Sequence, residues 1–221
     1  EPLRVSLLHE QYGKWLDEHR SWRTREERDL AIGRFIEMVG DLYLHEITPQ
    51  HVEQFKDRVR RLAGADDKRS KNKGVNAANR AIICMRAAFN FAIKQELYDH
   101  KNPFARVEMY ATPKDNVRWL DREQIDHAME VATEEGPNAE LFFALGIFAG
   151  LRRGEIDMAR WEWVDLDAGL LHVQASRSWK PKDQENRTIP LHDELAAILR
   201  RHEEKAGWIL APHKEPGKHR Y

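Results

Sequence analysis

Ala149-Gly150-Leu151-Arg152-Arg153-Gly154-Glu155-Ile156 is the stretch on which the reading of this chain turns. It follows an apolar run, Leu141 to Phe148, that predicts a buried helix. Gly150 is placed to stop that helix, because glycine takes the left-handed conformation without a Cβ penalty. A second helix is expected from Glu155 to Trp161, with Ile156 and Met158-Ala159 on its packed face. An arginine pair is thus held on a tight corner beside apolar core. A planar guanidinium there can grip a phosphate through two parallel hydrogen bonds. The octet alone fits a pair of solvated surface charges equally well.

Working outward, Trp161-Glu162-Trp163-Val164-Asp165-Leu166-Asp167 leads into Leu170-Leu171-His172-Val173-Gln174, an alternating, strand-like segment. A polar stretch, Lys180 to Asn186, separates it from Arg187-Thr188-Ile189-Pro190-Leu191. This pattern predicts a β-hairpin or small sheet with a lysine-bearing turn.

The three pieces in order, G-L-R-x-x-E-I, W-x-x-V-D-L-D and K-x-x-x-x-R-T-I-P-L, resemble the catalytic domain of the tyrosine recombinases, the phage-integrase family. The resemblance implies catalytic roles by position. Arg152 matches the family arginine that holds the non-bridging oxygens of the scissile phosphate. Glu155 matches an acidic position that supports it. Lys182, at the better spacing to Arg187 than Lys180, matches the hairpin lysine that protonates the leaving 5′ hydroxyl. Arg153 is then a surface or DNA-backbone residue. The family also has a His-x-x-Arg motif, a further His or Trp, and a tyrosine nucleophile. None is matched here: Tyr221 follows Lys182 too closely and has no His-x-x-Arg before it, so no nucleophile is expected in this chain and cleavage by the chain as given is not expected. The implied activity is site-specific DNA recombination through a 3′-phosphotyrosine intermediate, integrating or excising a mobile element or prophage. The rival reading is a non-catalytic DNA-binding protein or a decayed integrase remnant. The implied partner is double-stranded DNA, with a homotetramer on DNA for a whole enzyme and a monomer for a shortened chain off DNA. No cofactor is implied.

Composition sets the bounds. With 221 residues, 36 Lys+Arg against 37 Asp+Glu and a formal charge of -1, any DNA contact has to come from local clustering. The longest apolar run, Leu141 to Gly150, is far too short to span a bilayer. The single cysteine, Cys84, excludes an internal disulfide, reads as a core residue, and fits a reducing, cytoplasmic setting. Eleven histidines are scattered without metal-ligand spacing, so no metal site is expected. No glycine-rich nucleotide loop is present.

The expected fold is mainly α with a small β-sheet. Four helices, over about 5–20, 24–39, 49–62 and 76–97, form a helical domain spanning 1–109, which the resemblance implies is the family's SAM-like core-binding domain. Thr48 and Pro49 mark the third helix start, and Asn102-Pro103 ends the bundle. A polar linker occupies 110–118. Residues 119–221 are expected to be α+β, opened by a capping box at Asp121 and Gln124, with helices over 121–133, 139–149, 155–161 and 193–205; the resemblance implies that they are the front part of the family's catalytic domain. Between Lys56 and Lys73 lie eight basic residues and three acidic ones. That excess suits phosphate binding by counterion release, although a charge run is also the ordinary pattern of a solvated loop. Lys68, Arg69, Lys71 and Lys73 are the DNA-binding candidates, joined by Asn76, Asn79 and Arg80 at the expected start of the fourth helix.

Overall fold

A computed structural model describes residues 2–64, 72–112, 119–175, 186–204 and 206–210. It divides into two compact units, Glu1–Asn116 and Val117–Tyr221.

The first unit is built on α1 (Val5–His19), α2 (Trp22–Val39), α3 (Pro49–Gly64) and α4 (Lys73–Lys94), with a 3-10 turn at Leu44–Glu46. Apolar residues at helical spacing put Leu8, Ile32, Phe35, Phe55, Met85 and Phe89 into one core. Phe104 completes it, edge-on to Phe35 at 5.8 Å. Thr48 caps α3 by accepting the His51 N–H at 3.3 Å, and Pro49 opens the helix. Asn102 closes the bundle: its amide donates to the Arg86 carbonyl at 2.9 Å.

One expectation is corrected in this unit. α4 begins at Lys73, three residues before the expected start at Asn76. Gly74 is the reason, since a Cβ there would lie 2.4 Å from the Arg60 carbonyl oxygen; the glycine that reads as loop is the point where α3 and α4 touch. Tyr110, the first residue of the expected linker, is tied to α4. Its backbone is clasped by Asn79, whose amide donates to Tyr110 C=O and accepts from Tyr110 N–H, both at 2.9 Å.

The second unit holds α5 (Arg122–Glu135), α6 (Pro137–Phe148), α7 (Arg153–Ile156), α8 (Asp193–Arg201) and an antiparallel sheet in the order β1 (Val164–Asp165), β2 (Leu170–Val173), β3 (Arg187–Pro190). The Asp121/Gln124 capping box is formed, at 2.9 and 3.1 Å. Leu141, Leu145, Leu151, Ile156, Trp161, Leu171, Val173, Leu195 and Leu199 share one core.

The helix expected over 155–161 is a single turn. After Ile156 the chain meets the segment near residue 208. Trp161 N–H donates to Gly207 C=O at 2.9 Å, and Ile209 N–H donates to Ala159 C=O at 3.0 Å. This strand-like pairing takes the backbone groups that further helix would use, a contact between residues almost fifty apart that local pattern cannot reveal. α8 likewise stops at Arg201, short of 205, where His202 turns to bind Glu140. No described helix is long and apolar enough to cross a membrane.

Candidate active site

Gly150, at φ 61°, turns the chain out of α6 as expected. Leu151 and Ile156 are buried on either side of the corner, so Arg152 is fixed between two anchored apolar residues. Its backbone is extended at the N-cap of α7, and its side chain is 52% exposed.

Glu155 lies one turn on, 2% exposed. Its Oε2 accepts the Arg152 backbone N–H at 2.8 Å, and its Oε1 lies 3.3 Å from Arg152 Nη1. Arg187, the first residue of β3, donates Nη1 to Oε1 at 2.8 Å and Nη2 to Oε2 at 2.7 Å. Each carboxylate oxygen thus receives two donors, which is its full capacity. The Arg187 fork holds the Glu155 carboxyl down at about 2, with help from the Arg152 N–H and charge; burial pushes the other way and loses.

Of the sequence-predicted catalytic set, the structure brings Arg152 and Glu155 together. Lys182 lies outside the described residues. Arg153 opens α7, exposed. Arg187 is the residue that the sequence reading left as motif filler. A signal was available: β3 alternates in burial, placing Arg187 on the same side as Ile189. A cation at a core-facing strand position requires a buried anion opposite it.

The DNA-facing expectations divide in the same way. Lys68, Arg69 and Lys71 lie outside the described residues. Lys73 and Asn76 are exposed on the first turns of α4. Asn79 clasps the Tyr110 backbone with both sides of its amide. Arg80 is exposed but bonded through two nitrogens to Glu27. Part of the basic run is also structural. Lys56, 6% exposed, donates to Glu108 C=O at 3.0 Å and sits over the Tyr110 ring; Arg60 stacks on the same ring at 4.8 Å. Arg58 donates to Met38 C=O. Cys84 is buried, and burial raises its thiol pKa, as befits a core residue. Among the described residues no group of three His, Cys, Asp or Glu side chains could hold a metal ion.

A helical unit followed by an α+β unit with a small antiparallel sheet is a fold shared with solved structures of λ integrase and the Tn1549 transposon integrase. λ integrase residues 75–356, solved as a dimer on a COC′ core site, superposes with a TM-score of 0.71 at 19% identity, covering 95% of this chain and 74% of that one. λ integrase solved as a tetramer on a Holliday junction gives 0.71 at 19% identity, with 95% and 60% covered. The Tn1549 transposon integrase, solved with transposon right-end DNA, gives 0.64 at 17% identity, with 90% and 64% covered. No family model and no curated protein matches the chain.

Proposed function

We propose that this chain carries the DNA-binding helical domain and part of the catalytic domain of a tyrosine-type site-specific recombinase. The observation that carries the reading is Arg152: half exposed on a rigid corner, backed by a buried, fully bonded Glu155, within the integrase fold. Its role is to stabilise charge as it builds on the phosphate oxygens during attack. A fixed donor is worth most there, because a preorganised group needs no reorientation at the moment of reaction. Glu155 holds the corner and supports the arginine. Lys182 protonates the departing 5′ hydroxyl, a poor leaving group. A tyrosine attacks the phosphodiester and stores the bond as a 3′-phosphotyrosine for rejoining, which requires no external energy source.

Double-stranded DNA is the partner, and the working assembly is a homotetramer on DNA that integrates or excises a mobile element. Lys68, Arg69, Lys71, Lys73 and Asn76 supply backbone contacts from the first unit, and the domains fall at 1–109 and 119–221 with the connection between them.

The test is a salt titration of duplex binding by the 221-residue chain. The affinity should fall steeply with salt, and neutralising Lys68, Arg69, Lys71 and Lys73 together should flatten the slope by up to about 3–4 units, near one per lost phosphate contact. An unchanged slope would remove the helical unit's role. A duplex binder whose intact gene product forms no covalent adduct would be the non-catalytic DNA-binding protein instead.

A further inference from the structure

Within the first unit, the segment that follows α4 returns across α3 and α4. Val107, Met109 and Tyr110 pack against the core, and two anchors fix the segment. Lys56 of α3 donates Nζ to Glu108 C=O at 3.0 Å. Asn79 of α4 donates to Tyr110 C=O and accepts from Tyr110 N–H. Both anchors grip backbone atoms, so the place of residue 110 is set whatever side chain it carries. That side chain is a tyrosine whose ring faces two cations: Lys56 Nζ and Arg60 Cζ each lie 4.8 Å from its centroid. Its hydroxyl donates to Asp57. Burial, and after it that hydrogen bond, raise the Tyr110 pKa, so the hydroxyl keeps its proton at neutral pH.

The two cations differ in what they can still do. Lys56 is 6% exposed, and its ammonium is committed to Glu108 C=O and to Glu53 at 2.7 Å. Arg60 is exposed. An aromatic ring takes one face of a guanidinium and leaves its donors, which lie in the guanidinium plane, able to bind an anion. Arg60 also adjoins the start of α4: Gly74, two positions before Asn76, is the glycine whose Cβ would strike the Arg60 carbonyl oxygen. Asn76 is exposed and lies three positions before Asn79, on the same face of α4. Arg60, Tyr110, Asn79 and Asn76 thus form one continuous surface across α3 and α4.

We propose that Arg60 is a further contact to the DNA phosphodiester backbone and that Tyr110 is its positioning residue, holding the guanidinium over its ring so that a phosphate can reach the in-plane donors. This rests on the reading of the helical unit as the DNA-binding one. An arginine side chain free to rotate has to be ordered when DNA binds, which weakens affinity by about two- to tenfold. The ring supplies that order beforehand. A specific demand follows. Tyr110 carries no charge, so its effect on DNA acts only through Arg60 and should vanish once Arg60 is gone. A tyrosine that merely stabilised the fold would weaken binding equally with and without Arg60.

The experiment uses the full 221-residue chain in four forms: unaltered, Arg60→Ala, Tyr110→Leu and Arg60→Ala/Tyr110→Leu. Leucine leaves the backbone clasp by Asn79 in place and removes the ring. Two readouts are taken well below the melting temperature. One is affinity for a DNA duplex as a function of salt. The other is the Arg60 side-chain N–H signal in NMR spectra of isotope-labelled arginine, with and without duplex. Arg60→Ala should weaken binding about tenfold, the size of one charged hydrogen-bonded contact, and flatten the salt slope by about 0.9. Tyr110→Leu should weaken binding about threefold. The double variant should lose nothing beyond Arg60→Ala. In the unaltered chain, duplex should shift the Arg60 signal. Losses that multiply in the double variant would overturn the positioning role, and an Arg60 signal unmoved by saturating duplex would overturn the contact itself. If Tyr110→Leu does not fold, Tyr110→Met replaces it with the same expected results, since methionine fills the space without a π face. Binding that falls when Lys68, Arg69, Lys71 and Lys73 are neutralised, but not in Arg60→Ala, would overturn this proposal and leave the helical unit's role standing. No duplex binding by the unaltered chain would overturn both.

Discussion

Glu140 and Glu155 are both almost fully buried acids of the second unit, 5% and 2% exposed, and both are paired with arginine. Glu140 is bonded by Arg201, by His202 at 2.7 Å and by the Thr133 hydroxyl at 3.2 Å. Those partners tie α5, α6 and the end of α8 together. Burial raises the Glu140 pKa, but the His202 hydrogen bond and the Arg201 charge outweigh it, and the net direction is down. Arg201 is as exposed as Arg152. Exposure of the arginine therefore does not separate a fastener from a site. What separates them is the second arginine: Glu155 takes the Arg187 fork at 2.7 and 2.8 Å, and the Arg152 guanidinium reaches the same carboxylate at 3.3 Å. Arg201 is itself the close partner of Glu140 and is committed there.

The largest effect that sharpens this contrast is on stability. Glu155→Ala should cost about 3 kcal/mol, the size implied by a carboxyl held near 2 against an ordinary 4.5. Urea unfolding followed by the fluorescence of Trp161 and Trp163, both buried in this unit, measures it. The same depressed pKa fixes the pH dependence. The folded carboxyl titrates below the unfolded one, so its contribution is complete above about 4.5 and is lost as pH falls toward about 2. Glu155→Gln should flatten the stability–pH curve in that window. Glu140→Ala should cost less, about 2 kcal/mol, because its loss leaves Arg201 at the surface and able to find water. A Glu140 effect larger than that of Glu155 would contradict this contrast.

Smaller still are the arginines themselves. Arg201→Ala should lower stability by about 1 kcal/mol, since Glu140 loses its close partner. Arg152→Ala should stay within about 0.5 kcal/mol, the range of a surface residue whose acid retains another cation. Equal costs would mean that both arginines are fasteners.

The contrast also explains what could be read from the chain alone. Helices α1 to α6, their apolar faces, the Thr48 and Asp121 caps and the turn at Gly150 depend on residues within a few positions of one another, and such signals are written locally. The hairpin strands were visible for the same reason. What escaped depends on distant partners. The single-turn α7 is set by pairing of residues 159–161 with 207–209, and the early start of α4 by Gly74 against Arg60. At the site, Arg152 and Glu155 were singled out by the motif resemblance, and they lie within one turn of each other. Arg187 was not, because its partner lies 32 positions away. The intramolecular partners of Asn79 and Arg80, Tyr110 and Glu27, lie 31 and 53 positions away and were not legible either.

The central claim is that Arg152, and not merely any arginine paired to a buried acid, serves phosphodiester chemistry. It is tested most directly by incubating the intact gene product that carries this chain with a nicked suicide duplex of its target site and resolving protein–DNA adducts on a denaturing gel. The unaltered protein and Arg201→Ala should both form the adduct, and Arg152→Ala should reduce its rate by about 10²–10³-fold while binding the duplex within about tenfold of the unaltered protein. Adduct formation that is the same with and without Arg152, or that is lost with Arg201 instead, would contradict the account.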